Sequence, residues 1–167
     1  MNSAATCYRN SSRSTLSRAG IILYGLHPDV SLDIPEGLEP LMELKAVISH
    51  VKTVKPGDCI SYGRTFVADR EMRIATVTIG YADGYPRELC NGKGKVLVQG
   101  QKVPVIGKIC MDMCMLDITG LRVHEGDEVI VYGEGNTVTE MAEAAGLISY
   151  ELMTRISQRV PRVYVQE

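Results

Sequence analysis

Two tyrosines that each adjoin a glycine are the strongest candidates for chemistry in this chain of 167 residues. Tyr62 lies in the run ISYGRTF, and Tyr81 lies in the run IGYADGYPR. Apolar, β-branched runs flank a polar break at residues 68–72, a pattern that predicts a β-hairpin over residues 60–87. That hairpin sets Tyr62 opposite residues 78–81 at its open end, where the glycines allow close backbone approach. Two phenols brought together there indicate a site, although both rings could instead only pack.

Further polar residues extend this candidate site. Residues 80–87 combine glycines, tyrosines, an aspartate and an arginine, which is a costly composition for a strand end unless it shapes a pocket. Asp112 lies between Met111 and Met113 in the run GKICMDM, which is interpreted as part of an apolar strand. The alternative explanation is strand alternation, with Asp112 simply facing water.

A second group of candidates lies near the start of the chain. Ser3 has small neighbours and could present its hydroxyl and backbone N–H to an anion, or it could cap a helix. Arg18 precedes the apolar run at 19–26, which contains Gly20 and Ile21, and it could be an ordinary flanking charge. The run is short, apolar and bounded by glycines, which is typical of a fully buried parallel strand.

The elements around these residues predict a mainly β chain with an α/β beginning. A buried parallel strand needs neighbours on both sides, so the opening is interpreted as the end of a larger α/β domain. Residues 28–41 hold several prolines and form a linker. From residue 42 onward, alternating runs and turn signals predict an antiparallel β-barrel or sandwich. Two of the predicted turns are Lys55-Pro56-Gly57-Asp58 and His124-Glu125-Gly126-Asp127.

Two short helices and a last strand complete the predicted β domain. Residues 137–145 carry a capping box from Thr137 to Glu140 and a glycine stop. Residues 149–156 form the second helix, capped by Ser149 alone. The final run, RVPRVYV at residues 159–165, is typical of an edge strand because it carries a proline.

Composition narrows the class of protein. The net charge is −2 and the basic residues are spread along the chain, so neither nucleic acid nor an anionic membrane is an expected partner. The five cysteines form no disulfide framework, and Cys110 and Cys114 lack the second pair that a zinc site needs. Free thiols, no signal peptide and no apolar run of roughly 20 residues predict a cytoplasmic protein.

Taken in order, these blocks resemble the C-terminal part of the alanine racemases. The resemblance covers essentially the whole chain, and its blocks are NSAAT, SRAGIILYG, ISYGRTF, IGYADGYPR, GKICMDMCMLD, GDEV, ISYEL and ISQRVPR. It implies a fold-type III pyridoxal 5′-phosphate enzyme with a (β/α)8 barrel followed by a β-rich domain. Residues 1–27 would then be the C-terminal remnant of that barrel, 28–41 the linker and 42–167 the C-terminal β domain.

The resemblance also implies a reaction, the interconversion of L- and D-alanine that supplies peptidoglycan precursors. Racemisation removes the α-proton from one face of the amino acid and returns a proton to the other, so two bases must flank a planar carbanion. The cofactor ring spreads the charge of that carbanion. In the family one base is the Schiff-base lysine of the barrel, and the other is the tyrosine that corresponds to Tyr62.

The same resemblance implies cofactor contacts near the start of the chain. Ser3 and the backbone N–H groups near Gly20 and Ile21 would bind the cofactor phosphate. Arg18 would hydrogen-bond the pyridine nitrogen and keep it unprotonated, which weakens the electron sink and discourages transamination. Some family members use a tyrosine in the block before RVPR to touch the phosphate. This chain has Gln158 there, which could still donate a hydrogen bond.

Substrate contacts are implied for the tyrosine and methionine blocks. Tyr81 would line the substrate entrance. Met111 would bind the substrate carboxylate through its backbone N–H, with Asp112 beside it at the mouth of the site.

One essential residue of the family has no counterpart here. The cofactor lysine lies in a VKANAYGHG-like block of the barrel, and this sequence contains no such block. In the family, the C-terminal domain of one subunit completes the active site of the other in a head-to-tail homodimer, so Tyr62 would act on a partner's cofactor. We therefore expect this chain alone not to racemise alanine. A serine racemase and a non-catalytic β-barrel binding module, of the kind found in translation factors, are the alternatives.

Overall fold

The computed structural model of the chain describes residues 1–8, 14–29, 31, 33 and 37–165. The chain divides into two compact units, Met1–Met42 and Glu43–Glu167. Within its described residues, the first unit has helix α1 (Ser3–Tyr8) and a 3₁₀ turn at Ile21–Tyr24. The strands and α-helices described in the second unit are β1 (Leu44–Val54), β2 (Cys59–Ile60), β3 (Phe66–Val67), β4 (Met72–Val77), β5 (Lys95–Val98), β6 (Gln101–Ile106), β7 (Cys114–Asp117), β8 (Glu128–Tyr132), α2 (Val138–Ala145) and α3 (Ser149–Thr154). It also has 3₁₀ turns at Tyr62–Arg64 and Arg87–Leu89.

Six strands of the second unit form a closed antiparallel barrel in the order β1-β4-β7-β6-β5-β8. Strand β1 closes it, because its two parts, which meet between Val47 and Ile48, pair with different strands. The later part pairs with β4, and the earlier part pairs with β8. Closure leaves no exposed edge on which another strand could add. The predicted mainly β, antiparallel barrel is confirmed.

The barrel is filled by medium-sized apolar side chains. Strand residues with no measurable exposure include Ala75, Val98, Val105, Leu116, Val129 and Val131. Burying a valine or leucine contributes about 1.5–3 kcal/mol, so this interior supplies the main driving force for folding. A chain without tryptophan and with a single phenylalanine builds its core from such residues.

The turns predicted at residues 55–58 and 124–127 are confirmed, and both have the same construction. In the first, the Lys55 N–H donates to Asp58 Oδ2 at 2.8 Å. In the second, the His124 N–H donates to Asp127 Oδ2 at 2.9 Å. Each turn needs a glycine directly before the aspartate, with φ near +90°, a region that side-chain-bearing residues avoid.

The capping box predicted for α2 is present. Thr137 accepts a hydrogen bond from the Glu140 N–H, and the Glu140 side chain accepts one from the Thr137 N–H. The helix ends at Gly146, which is left-handed with φ 70°. For α3 the predicted cap is wrong, because Ile148 is the N-cap residue and Ser149 is already helical. No helix in the described ranges is both long enough and apolar enough to cross a membrane.

The strand predicted over residues 19–26 is wrong. Ile21–Tyr24 forms a 3₁₀ turn that ends at Gly25, in which Ile21 is buried while Leu23 and Tyr24 are 62% and 47% exposed. A buried parallel strand requires partner strands on both sides. The described residues of the first unit contain no strand, so the apolar run coils instead of extending.

The edge strand predicted for residues 159–165 is also wrong. The described residues there pair with no strand, and Val163 and Tyr164 are 83% and 93% exposed. Arg162 instead donates hydrogen bonds to the carbonyl oxygens of Ile156 and Ser157, which ties the segment back on itself. The closed barrel offers this segment no free edge.

Replacing the cap of α2 provides a test of this local construction. We expect Thr137→Ala to lower the free energy of unfolding by about 1 kcal/mol, because the Glu140 N–H loses its acceptor. Urea denaturation measures the effect. Thr137→Ser retains the hydroxyl and should stay within a few tenths of a kcal/mol of the parent. Equal losses in the two variants would contradict the role of the hydroxyl.

Candidate active site

Tyr62 lies in a tight turn, not in a hairpin with the strand that precedes Tyr81. Strands β2 and β3 pair with each other, and between them Ser61, Gly63 and Arg64 have φ of 69°, 71° and 51°. Strand β4 pairs with β1 and β7 instead. The predicted hairpin is therefore wrong, because barrel closure occupies both edges of β4. Non-glycine residues at positive φ cost about 1–3 kcal/mol each and concentrate at functional sites.

Ser61 fastens the Tyr62 turn to residues 107–113, which connect β6 to β7 and are called the bridging loop below. The Ser61 hydroxyl donates to the Lys108 carbonyl oxygen at 2.7 Å and accepts from the Lys108 N–H at 3.0 Å. Gly107 allows this approach, since a Cβ there would lie 2.7 Å from the Ser61 Cβ. The Ser61 side chain thus fixes the backbone of the Tyr62 turn to the bridging loop.

The Tyr81 turn is fastened to the same bridging loop by its backbone. The Tyr81 N–H donates to the Cys110 carbonyl oxygen at 3.1 Å, and the Ala82 N–H donates to that of Met111 at 3.0 Å. A Cβ at Gly80 would lie 2.3 Å from the Met111 carbonyl oxygen, so only glycine fits. The bridging loop therefore joins the two tyrosine-bearing turns, which the sequence had predicted to be joined by a strand ladder.

The side chains of these two tyrosines are exposed. Tyr62 is 73% exposed and Tyr81 is 45% exposed, whereas Tyr85 and Tyr132 are at most 1% exposed. Burial raises the pKa of the Tyr85 phenol, and it raises that of Tyr132 to about 12. Tyr85 and Tyr132 therefore pack in the core of this chain, and the rings of Tyr62 and Tyr81 do not.

Asp112 lies in the bridging loop, so its predicted place in a strand is wrong. Its carboxylate accepts a hydrogen bond from Arg159 Nη2 at 2.5 Å, and Asp83 Oδ1 accepts one from Arg159 Nε at 2.8 Å. These bonds, first to Asp112 and then to Asp83, raise the pKa of Arg159. Arg159 was not among the residues predicted from the sequence. Two signals were available. Arg159 stands beside Gln158 in the ISQRVPR block, and Asp83 and Asp112 lie in blocks singled out as candidate sites, where a cation could pair with them.

Two groups assigned to ligands in the sequence analysis have no protein partner among the described residues. The backbone N–H of Met111 donates to none of them, and its side chain is 54% exposed. The amide of Gln158 makes no hydrogen bond within the same ranges, although its neighbour Arg159 is firmly held. Both groups remain available to a ligand.

In the first unit, Ser3 and Gly20 meet directly. The Ser3 hydroxyl accepts a hydrogen bond from the Gly20 N–H at 2.9 Å, and Ser3 is 6% exposed. Asn2 caps α1 by accepting from the Ala5 N–H, so the alternative of Ser3 as the helix cap is wrong. The Ser3 hydroxyl proton is free to point at an acceptor.

Two further groups lie close to this pair in the chain. Ile21 opens the 3₁₀ turn, so its N–H has no acceptor within that turn. Arg18 is held by its backbone, whose N–H donates to the Met1 carbonyl oxygen at 2.6 Å, while its side chain is exposed. A hydroxyl, backbone N–H groups and a guanidinium make a donor set suited to an anion.

Comparison with known proteins assigns the family. The family model described as "Alanine racemase, C-terminal domain" matches residues 41–164, which is most of the chain. The chain belongs to the alanine racemase family. The resemblance based on the sequence blocks is thereby confirmed, and a β-barrel of the translation-factor type is excluded as the origin of these residues.

Relatives of the alanine racemase family match along nearly the whole chain. Alanine racemase 1 of Clostridium acetobutylicum is 48% identical over 99% of this chain and 44% of that protein. The crystal structure of alanine racemase from Streptomyces lavendulae aligns with a TM-score of 0.92 and 40% identity over 99% of this chain and 45% of that one. Alanine racemase of Clostridium difficile 630 aligns with a TM-score of 0.90 and 45% identity, over 98% of this chain and 43% of that one. The chain thus spans less than half the length of these relatives.

Removing the Ser61 hydroxyl tests how the Tyr62 turn is held. We expect Ser61→Ala to lower the free energy of unfolding by about 1–3 kcal/mol, since two part-buried hydrogen bonds to Lys108 are lost. The Lys108 amide should also exchange with solvent faster. Ser49→Ala, which removes one exposed bond to the Thr76 carbonyl oxygen, is the matched control and should cost less. Comparable losses would show that Ser61 does not anchor the turn.

Proposed function

We propose that this chain is the C-terminal region of a pyridoxal-phosphate-dependent isomerase that interconverts L- and D-alanine and supplies D-alanine for peptidoglycan precursors. In this proposal residues 1–27 are the remnant of a (β/α)8 barrel, residues 28–41 are a linker, and residues 42–167 are the C-terminal β domain. The observation that carries the proposal is a 73% exposed Tyr62 on a turn whose backbone is fixed to the bridging loop.

Tyr62 is proposed as one of the two bases of the reaction. A phenolic oxygen can take the α-proton from one face of the amino acid or return it to that face. What supports this role is the contrast between its held backbone and its unburied ring, because proton transfer needs a group within hydrogen-bond reach of the substrate. The backbone of its neighbour Ser61 is strained, with φ 69°, and such strain concentrates at functional sites.

The bridging loop and the Tyr81 turn are proposed to bind the substrate. The backbone N–H of Met111 would donate to the substrate carboxylate, and Asp112 would stand beside it at the mouth of the site. Tyr81, half exposed on the adjoining turn, would line the entrance. The free N–H of Met111 supports this assignment, since a carboxylate needs a donor that no protein group already uses.

The first unit carries the residues proposed to hold the cofactor, and their donor chemistry fits it. The Ser3 hydroxyl and the Ile21 N–H would bind the phosphate, and Arg18 would donate to the pyridine nitrogen. The Gly20 N–H, which donates to the Ser3 hydroxyl in this structure, would exchange that acceptor for a phosphate oxygen. Gln158 is a further proposed donor to the phosphate. When bound, the cofactor supplies an electron sink that lowers the energy of the substrate carbanion.

A second subunit and a barrel domain are the proposed protein partners. Large apolar side chains are exposed on the two tyrosine turns, strand β3 and the bridging loop, namely Tyr62, Val67, Tyr81, Met111 and Met113. An exposed group of this kind marks an interaction surface. We propose that the barrel of another subunit covers it in a homodimer, in the cytoplasm, and that Tyr62 acts on the cofactor of that subunit.

The isolated chain should be inactive. No block resembling that of the family's cofactor lysine is present, so we expect neither turnover of alanine nor a lysine-linked absorption band after incubation with pyridoxal 5′-phosphate. Absorption spectroscopy and chiral chromatography check the two parts. A stable band, or conversion of either enantiomer, would contradict the assignment of the second base to another part of the protein.

Joining the chain to the barrel portion of alanine racemase 1 of C. acetobutylicum tests the role of Tyr62. The fusion should racemise alanine, and Tyr62→Phe should slow it by about 10²–10⁴-fold, as loss of a proton-transfer group does. Since L- and D-alanine have equal free energies, both directions must slow together.

Exchange of the α-proton in D₂O distinguishes loss of one base from general damage. With Tyr62→Phe, one enantiomer should still exchange through the remaining base while the other does not. The matched control is Tyr164→Phe, which alters a tyrosine that is 93% exposed and outside the site. Equal exchange of both enantiomers by the Tyr62→Phe fusion would refute the proposed role.

A further inference from the structure

We propose that Arg159 is a positioning residue that holds the Tyr81 turn and the bridging loop together, and so sets the direction of the Met111 N–H. Its two carboxylate partners come from distant parts of the sequence, 76 and 47 residues away. The purpose assigned to the Met111 N–H rests on the proposed function. The mechanical role of Arg159 does not.

The two carboxylates belong to different segments: Asp83 lies in the Tyr81 turn, and Asp112 lies in the bridging loop. Asp83 accepts from Arg159 through Oδ1 and from the Gly80 N–H through Oδ2 at 2.9 Å, so its orientation is fixed at both oxygens. It is also the more enclosed of the two, with 13% of its side chain exposed against 54% for Asp112. Arg159 therefore links the rigid Tyr81 turn to the more exposed tip of the bridging loop.

The segment that carries Arg159 is itself anchored to the same turn. The Ser157 N–H donates to the Asp83 carbonyl oxygen at 3.1 Å, and Arg162 donates to the Ser157 carbonyl oxygen at 2.6 Å. Close packing supports this, because a Cβ at Gly84 would lie 2.5 Å from the Arg155 carbonyl oxygen. A fixed backbone on the arginine side lets the guanidinium act as a spacer of set length.

The two bonds use the separated donors of a guanidinium. Arg159 uses Nε for Asp83 and Nη2 for Asp112, which are two separate donors of one rigid plane. The single ammonium of a lysine offers no such fork. Without the arginine, two negative carboxylates would face each other and drive the bridging loop away from the turn.

Arg155 provides a matched comparison. It also bridges two carboxylates, those of Glu88 and Glu151, and its side chain is less exposed, at 33% against 50% for Arg159. Neither of its partners lies in the bridging loop. Arg155→Met therefore removes an equivalent pair of ion pairs from the same region of the chain without releasing the bridging loop.

The first experiment measures amide hydrogen exchange by NMR in the isotopically labelled full chain. In Arg159→Met the amides of Tyr81 and Ala82, which bond to the bridging loop, should exchange about tenfold faster, and the Met111 amide resonance should shift. The Leu116 amide in β7 should exchange at the parent rate, which separates local release from global destabilisation. Arg155→Met should leave the Tyr81 and Ala82 amides within about twofold of the parent.

The second experiment uses the fusion with the C. acetobutylicum barrel. Arg159→Met should raise KM for alanine about tenfold with a smaller change in kcat, because carboxylate binding is weakened more than proton transfer. Arg159→Lys should not restore KM. Adding Asp112→Asn to Arg159→Met should recover part of the lost KM, because it removes one of the two facing negative charges.

The outcomes separate the two proposals. Unchanged amide exchange in Arg159→Met, or an equal change in Arg155→Met, overturns the positioning role whatever the fusion does. Faster exchange with an unchanged KM overturns the link to carboxylate binding. A parent fusion that fails to racemise alanine counts against the proposed function, and the exchange data then decide the role of Arg159 alone.

Discussion

The absence of side chains at Gly80 and Gly107 is the constraint on which the candidate site depends. A Cβ at Gly80 would come within 2.3 Å of the Met111 carbonyl oxygen, and one at Gly107 within 2.7 Å of the Ser61 Cβ. Real side chains essentially never approach that closely, so both contacts require glycine. Through these two contacts the bridging loop reaches both tyrosine turns. The positions of Tyr62, Tyr81 and Met111 relative to one another follow from that approach.

The barrel supplies the rigidity that this arrangement needs. The bridging loop begins where β6 ends and stops where β7 starts, and both strands bury residues that are fully inaccessible to solvent. Buried, close-packed strands open rarely, so their ends form fixed supports for the loop. Strained backbone at Ser61 and Arg64 is tolerated there because the surrounding packing over-determines it. Stability in the barrel thus permits strain in the turn.

The sequence predicted features whose causes are local, and it failed where the cause lies far away in the chain. The capping box at Thr137 and the turns closed by Asp58 and Asp127 depend on residues three positions apart, and all were predicted correctly. The strand at 19–26 and the edge strand at 159–165 were wrong, since a strand exists only with a partner. The hairpin failed for the same reason, because both edges of β4 were needed by the barrel.

The site was predictable in its residues but not in its connections. The blocks around Tyr62, Tyr81 and Met111 stood out by composition, yet nothing in them indicated that Ser61 bonds to Lys108 or that Arg159 bridges two aspartates. These contacts span 47 and 76 residues, and periodicity carries no information over such separations. A carboxylate flanked by methionines could be judged as solvent-facing or as paired, and only the fold decides between these.

An exposed base on a fixed turn has a consequence for how a complete site would be built. At 73% exposure the Tyr62 ring is surrounded by water, and water weakens the electrostatic interactions on which proton transfer relies. Under the proposed function the ring must therefore be covered by another surface when it works. Covering a mobile turn would require ordering it at that moment, which reduces the free energy available for association. Ser61 already holds the turn and Arg159 already holds the loop, so that loss is avoided. The rigid backbone around Tyr62 therefore complements the exposure of its ring, because the ring can be covered without first ordering the turn.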